Sequence, residues 1–333
     1  MHAPKTARTI LRGGLPALLL LTLAAAARAD EALSLVPSEA ASVGMVRLDE
    51  LRNSPLAAKL LADMDRMTGD GDAARFLEET GLRPKEDVDT VVVAAIPRAG
   101  SRGRTAGLVL FEGRFDPVRL AGALSGRGAS RRASPEGEYY LLAGEHHNGD
   151  PGAIAFVSRR LIVAGSEDLV RDALAARRAS GSGFLRGEGL GKHFTRLPAD
   201  ASAWALVDAV RYPIARGARN ESDRGGDPSR ALAGAMKSVS LFAFAATARE
   251  DALELTAIGL SDNDDTRDDL EDALRGVIAM WRMAAQEKSP ELVSVLRRFE
   301  VDQDREGVTV SGTLPGSMIR LLTAHREAKR RQR

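Results

Sequence analysis

Cysteine is missing from all 333 residues of this chain, which removes disulfides, thiol nucleophiles and cysteine-ligated metals at the outset. Lipid attachment at an N-terminal cysteine goes with them. Aromatic residues are nearly as scarce, at 4% with only two tryptophans, Trp204 and Trp281. Flat platforms on which bases or sugar rings stack are hard to assemble from so few rings. An excess of one charge is also lacking: 47 Lys and Arg stand against 46 Asp and Glu. A phosphate backbone needs a concentrated positive field, so nucleic acid is excluded as a main partner. The G-x-S-x-G, S-x-x-K and H-E-x-x-H patterns are absent as well, and with them the common serine-hydrolase, penicillin-binding and zinc-peptidase signatures. No catalytic residue, cofactor-binding residue or metal ligand is therefore assigned, and the reading leans away from an enzyme.

What is present begins at the N-terminus. Lys5, Arg8 and Arg12 precede the apolar run LPALLLLTLAAAA (15–27), and Ala27-Arg28-Ala29 follows. Small residues at −3 and −1 are what a signal peptidase accepts, so residues 1–29 read as a signal peptide cut between Ala29 and Asp30. The run is too short, with Gly14 and Pro16 in its flank, for a comfortable membrane span. No stable span is expected after cleavage; retention as an anchor is the alternative. The expected destination is the periplasm or the medium, and the surplus of Arg over Lys, with abundant Ala, fits a bacterium with a GC-rich genome. Cleavage removes four basic residues (Lys5, Arg8, Arg12, Arg28) and no acidic one, leaving 43 basic and 46 acidic side chains, a net of −3. A chain of that length prompts an expectation of about two domains.

Internal similarity organises the rest. LVPSEAASVGMVRLDELRNSP (35–55) lies against RLPADASAWALVDAVRYP (196–213), and VDTVVVAAI (88–96) against SVSLFAFAA (238–246). GLVLFEGRFD (107–116) then lies against LELTAIGLSD (253–262), and LIVAGSEDLVRDAL (161–174) against VTVSGTLPGSMIRLL (308–322). The order is the same in both halves. The offset drifts from 161 residues (Pro37 to Pro198) to 147 (Leu161 to Val308), as loop-length changes would produce.

Each half reads locally as β-α-β-β-α-β-β-α. Leu56, Leu60, Leu61 and Met64 give a helical stripe after Ser54-Pro55, and a short helix near 73–80 stops at Gly81. Asp116-Pro117 opens a helix ending at Gly126, and Glu167 and Asp168 sit in the first turn of another. In the second half Leu270, Leu274, Val277, Ile278 and Trp281 follow helical spacing. The expected fold class is α+β: two tandem copies of this unit, a mainly antiparallel sheet, helices on one face. The boundaries are 30–180 for the first repeat, 181–195 for a linker, 196–325 for the second repeat and 326–333 for a basic tail. RGARNESDRGGDPSR (216–230) reads as a loop. Whether the copies share one sheet or form separate lobes is open.

Few residues attract attention for chemistry. His146 and His147 flank Asn148-Gly149, a strong hairpin-turn signal, so they read as the tip of a hairpin between strands at 139–143 and 153–158. His193 lacks an identifiable nucleophile or orienting carboxylate. GEGLGKHFT (187–195) fails as a phosphate loop, because Arg186 replaces the required glycine and His193 the Ser or Thr. SDNDDTRDD (261–269) fails as a calcium loop, with Arg267 where glycine is needed and Ala273 where the bidentate Glu belongs. Its acids read as an N-terminal cap for the helix that follows. The basic tail reads as a helix end, with contact to an anionic surface as the other reading.

The signal peptide, the cysteine-free mature chain, the duplicated α+β unit and the G-R-F-D step (Gly113 to Asp116) together resemble a secreted bacterial protein family of unknown function. The resemblance spans most of the mature chain and carries no catalytic residue across. Three functional expectations result. The first is a non-enzymatic binding or scaffold protein, periplasmic or secreted, that engages a protein or envelope polymer. The second is a carrier of an apolar, lipid-like ligand in a helix-covered sheet cavity. The third is a hydrolase using spatially assembled carboxylates.

Overall fold

The computed structural model describes residues 31–52, 54, 71–98, 105–143, 150–179, 183–211, 234, 236–286 and 290–321. The signal segment with Ala29 and Asp30, the stripe at 56–64, the loop at 216–230, His146, His147 and the basic tail lie outside these residues.

Apolar runs set the strands. They are β1 (Ser42–Arg47), β2 (Val88–Pro97), β3 (Thr105–Gly113), β4 (Ser130–Ser134), β5 (Gly137–Leu141), β6 (Gly152–Phe156), β7 (Leu161–Ser166), β8 (Ala203–Asp208), β9 (Leu241–Ala248), β10 (Ala252–Leu260), β11 (Glu300–Gln303) and β12 (Gly307–Pro315). The helices are α1 (Leu48–Arg52), α2 (Gly71–Thr80), α3 (Pro84–Asp87), α4 (Pro117–Gly126), α5 (Glu167–Arg178), α6 (Asp264–Gln286) and α7 (Pro290–Leu296). Local chemistry starts and stops them. Asp116 accepts at Oδ1 from Val118 N (3.1 Å) and Arg119 N (3.2 Å), capping α4 with Pro117 at its first position. Gly81, at φ 66°, ends α2 in the left-handed conformation. Asn263 Oδ1 accepts from Thr266 N (3.0 Å) at the start of α6. Ser166 stands at the cap of α5 without bonding a backbone N–H of its first turn, where Glu167 and Asp168 place negative charge favourable to the helix dipole.

All described strands join one antiparallel sheet of twelve, in the order β11-β12-β10-β9-β8-β1-β2-β3-β7-β6-β5-β4. The two halves therefore share a single sheet, and β1 pairs with β8 at its middle (Met45 opposite Trp204). Outward from that seam, the order β1-β2-β3-β7-β6 on one side matches β8-β9-β10-β12-β11 on the other. The halves differ between their helices: four strands, β4 to β7, lie between α4 and α5, where two were expected. The hairpin expected around 139–158 is present as antiparallel β5 and β6, with Tyr140 opposite Ile154.

Helices cover both faces of the sheet, which corrects the expectation of one. On the first face Met45, Val92, Leu110, Val163 and Leu206 pack under α5, under Ala32, Leu33, Leu35 and Val36, and under two 3₁₀ turns, Gly183–Arg186 and Gly189–Arg196. On the second face, the β3–β7–β6 end (Phe111, Ile162, Phe156) lies under Leu48 of α1, Phe76 of α2 and Leu120 of α4. The opposite end of that face (Phe242, Val308, Val301) lies under Leu270, Leu274 and Ile278 of α6. The physical reason is legible in VVVAAI and LIVA. Strands apolar at consecutive positions bury both sides, whereas a one-sided sheet alternates. The expected linker, 181–195, contributes Phe184 (1% exposed) to the core, where its ring stacks on Trp204 at 5.9 Å between centroids.

The β11 edge is closed by side chains of α6. Arg275 Nη2 donates to Val301 O (3.3 Å), and Arg282 Nη2 donates to Phe299 O (3.3 Å) and Leu296 O (2.7 Å). At the other edge, β4 is five residues long and presents exposed Arg131 and Arg132. Short, charged or capped edges resist pairing with another sheet.

Candidate functional site

The middle of the second face carries exposed apolar side chains between the two groups of helices. Side chains on one face lie two residues apart, and the registers put Val93, Gly44, Ala205 and Phe244 in one row across β2, β1, β8 and β9. Val93 is 49% exposed and Phe244 44% exposed. Two residues along the same strand and face, Phe242 is 8% exposed beneath α6. Its ring stacks on that of Phe244 at 6.2 Å. The next row, Val91, Val46, Ala203 and Ala246, is half-buried, with Val46 and Val91 packed under the α1 side. The first row makes a shallow apolar groove at the β1/β8 seam, with Gly44 and Ala205 between Val93 and Phe244; along the seam Val46 packs toward α1 and Val207 toward α6. Neither row contains an ionisable side chain.

Trp281 is a further exposed apolar side chain. Its position on α6 falls within the stripe formed by Leu270, Leu274 and Ile278, yet it is 55% exposed while Ile278 is 7% exposed. Beyond Ile278 the helix runs past the sheet and is held instead by α7, through Ala285 against Val293 and Leu296. Periodicity places a residue on a helix face; it cannot say where the sheet under that face ends.

The residues singled out in the sequence are not brought together. His193 lies in the second 3₁₀ turn, half-buried, and burial followed by the nearby Lys192 and Arg196 cations lowers its pKa. Gly191 in the same turn is there for close approach: a Cβ would stand 1.7 Å from Phe184 O. GEGLGKHFT is thus a packing segment. In SDNDDTRDD, Arg267 (7% exposed) donates from Nη1 to Ser261 O (2.7 Å) and from Nη2 to Asp264, so a fixed cation already occupies the centre of the acidic run. Asp268 accepts from Gln303 Nε2 at 2.8 Å, which ties the run to β11.

Several other carboxylates are matched with arginine. Asp89 pairs with Arg52 at 2.9 Å, Asp208 with Arg211 at 2.6 Å, and Asp168 with Arg98 at 2.5 Å. Burial alone would raise the pKa of Asp208 and of Asp168. Hydrogen bonds from the Arg211 backbone and guanidinium outweigh it in the first; those from Ser166 and Arg98 outweigh it in the second, leaving both lowered. Asp49 is raised by burial and by the neighbouring Asp89 and Glu50 carboxylates. Among the described residues no group of three or more His, Asp or Glu is placed to hold a metal ion, and no helix is long and apolar enough to cross a membrane. Glu112 is buried (8% exposed) and accepts at Oε1 from Ala32 N at 2.9 Å, fastening the N-terminal turn to β3.

Comparison with known proteins adds the fold and no more. No protein-family profile matches the chain, and no curated protein matches it. Among solved structures, crystal form III of TP0453, a Treponema protein of uncertain function, aligns with TM-score 0.51 at 10% identity, covering 86% of this chain and 95% of that one. Crystal forms I and IV of the same protein align with TM-scores 0.46 and 0.44, each at 9% identity. At such identity the likeness is one of architecture: the chain is an α+β protein with a large antiparallel sheet, similar in fold to TP0453.

Proposed function

We propose that the protein is a non-enzymatic binding protein, periplasmic or secreted, whose working surface is the groove along the β1/β8 seam and whose partner is another protein. The observation that carries this reading is the exposure of Phe244 and Val93 on a sheet face whose two ends lie under helices. Isolated apolar side chains on a surface are ordinary, but a contiguous apolar strip flanked by secondary structure marks an interaction site. The seam itself belongs to the proposal. It joins two copies of one ancestral module, and the matching strand order on either side supports that history. On this view each half buries its own outer strands, and the groove exists only where the halves meet.

The test is capture from the native envelope with the mature chain as bait, followed by mass spectrometry of proteins and of small molecules. Wild type retains a defined protein that Phe244→Asp loses, while both baits melt at the same temperature because Phe244 already faces solvent. A lipid extracted stoichiometrically from wild type, with no protein dependent on Phe244, replaces this reading by that of an apolar-ligand carrier. Turnover abolished by a single Asp or Glu substitution replaces both.

A further inference from the structure

On a surface separate from the groove, we infer that the edge strand β4 takes an extended acidic segment of a protein partner as an added strand of the sheet. The order β1-β2-β3-β7-β6 recurs in the second half as β8-β9-β10-β12-β11, and β5 and β4 lie beyond it with no counterpart. The β4–β5 hairpin is therefore an addition to the shared scaffold. It is fastened from one side. Tyr140 and Leu141 pair with Ile154 and Ala153 of β6. From α5, Glu167 accepts at Oε1 from Tyr139 Oη (2.6 Å), Arg171 pairs with Glu136 (3.5 Å), and Arg178 donates to Pro135 O. Beyond its ladder to β5, no hydrogen bond reaches the backbone of β4 among the described residues.

The two edges of the sheet are guarded by different means. On β11 the guard is a pair of arginines from α6 that take up edge carbonyls; on β4 it is charge alone. Arg131 and Arg132 are exposed, stand opposite Tyr140 and Tyr139, and so project to opposite faces. Arg131 already shares its guanidinium with Glu138 at 2.5 Å. Arg132 has no carboxylate partner among the described residues, and it lies on the face of Tyr139, beneath α5. The acids nearest on that face are taken, Glu136 by Arg171 and Glu167 by Tyr139. Charge of one sign turns away a like edge and draws an unlike one. Two copies of β4 paired antiparallel at full overlap would set Arg132 against Arg132, which is destabilising, whereas Glu or Asp opposite Arg132 gains a cross-strand pair. Main-chain bonds then supply affinity and the acid supplies the choice of partner. With five residues in β4 the added strand is short, so binding is weak and falls as salt rises.

The probe is a labelled peptide of about eight residues, Thr and Val with two glutamates at the centre. One control carries lysines in place of the glutamates. The other keeps the glutamates but has its central amides N-methylated, so that it cannot join a ladder. Fluorescence anisotropy, with the mature chain titrated to about 1 mM, is expected to show saturable binding of the first peptide and none of either control. Arg132→Glu weakens binding by roughly fivefold or more, since attraction is replaced by repulsion. Phe244→Asp, in the groove, leaves it within about twofold. Thermal melts show that the variants are folded. Equal binding of the lysine peptide or of the N-methylated one, indifference to Arg132→Glu, or no binding by wild type overturns the inference. Vesicles of anionic phospholipid that bind wild type but not Arg132→Glu, with no peptide bound, assign the edge to a membrane surface and overturn it too. If the peptide fails while envelope capture still depends on Phe244, the added strand is wrong and the groove reading stands. Should the peptide bind while capture ignores Phe244, the edge stands and the groove reading falls.

Discussion

Two buried or half-buried ionisable residues make predictions of opposite kinds. Glu112 holds Ala32 N from a position 8% exposed, and Ala32, Leu33, Leu35 and Val36 are all at most 1% exposed. Replacing the carboxylate by a methyl leaves a buried donor without its acceptor, so Glu112→Ala costs about 1–3 kcal/mol, measured by urea unfolding, and Glu112→Gln recovers most of it. His193 is a matter of pH. Its folded pKa lies below the ordinary 6.5 because burial and two neighbouring cations oppose the imidazolium. The unfolded chain therefore binds the proton more readily. The stability held by neutral His193 is complete above that value and is lost as pH falls through it toward the folded pKa. Melting temperatures followed from about pH 8 to about pH 5 should fall more steeply for wild type than for His193→Gln; equal slopes would remove this account of the residue. Neither role was written in the sequence. Glu112 alternates with Leu108 and Leu110 on one face of β3, and nothing local says that face is fully buried.

At the scale of single elements, α6 separates what periodicity tells from what it cannot. Three of its turns were legible from Leu270, Leu274, Val277, Ile278 and Trp281, and its start from the acids before it; the helix extends over 23 residues. Exposure along the stripe was not, because it depends on where the strands beneath stop. Ile278→Ala should cost about 2–4 kcal/mol, as a truncation under close packing does, whereas Trp281→Ala should cost less than about 1 kcal/mol. In Trp204→Phe, the remaining Trp281 emission should be red-shifted and quenched by acrylamide; in Trp281→Phe, Trp204 at 6% exposed should resist quenching. The strand runs carry a related lesson. VVVAAI and LIVA are apolar at every position, which is the mark of a strand covered on both sides; helices lie over Val91 and Ile162 on the second face, but Val93 of the same run is 49% exposed.

For the molecule as a whole, twelve antiparallel strands leave two open ends, and each is guarded. Removing the guard on β11 with Arg275→Ala and Arg282→Ala together frees the Val301 and Phe299 carbonyls. Sedimentation velocity should then show association that rises with concentration, absent in wild type, because an unpaired edge templates another strand. The reverse result would mean that the four-residue length of β11 suffices alone. The groove belongs to this scale as well. Phe242 and Phe244 are the same residue type on the same face of β9, one covered and one open. No pattern within FAFAA distinguishes them; the path of α6 across the sheet does.

By itself the sequence determined most of the strands and helices, where several of them are capped, and which signature motifs are missing. Those properties depend on neighbours a few residues apart: hydrogen-bonding side chains at helix starts, apolar spacing, and residue types that are present or not. Only the tertiary structure decided that β1 and β8 adjoin, that helices lie on both sides of the sheet, and that Phe244 and Val93 are exposed while Phe242 is covered. These follow from contacts between segments far apart in the chain, where the match of whole surfaces sets the outcome and no local pattern records it.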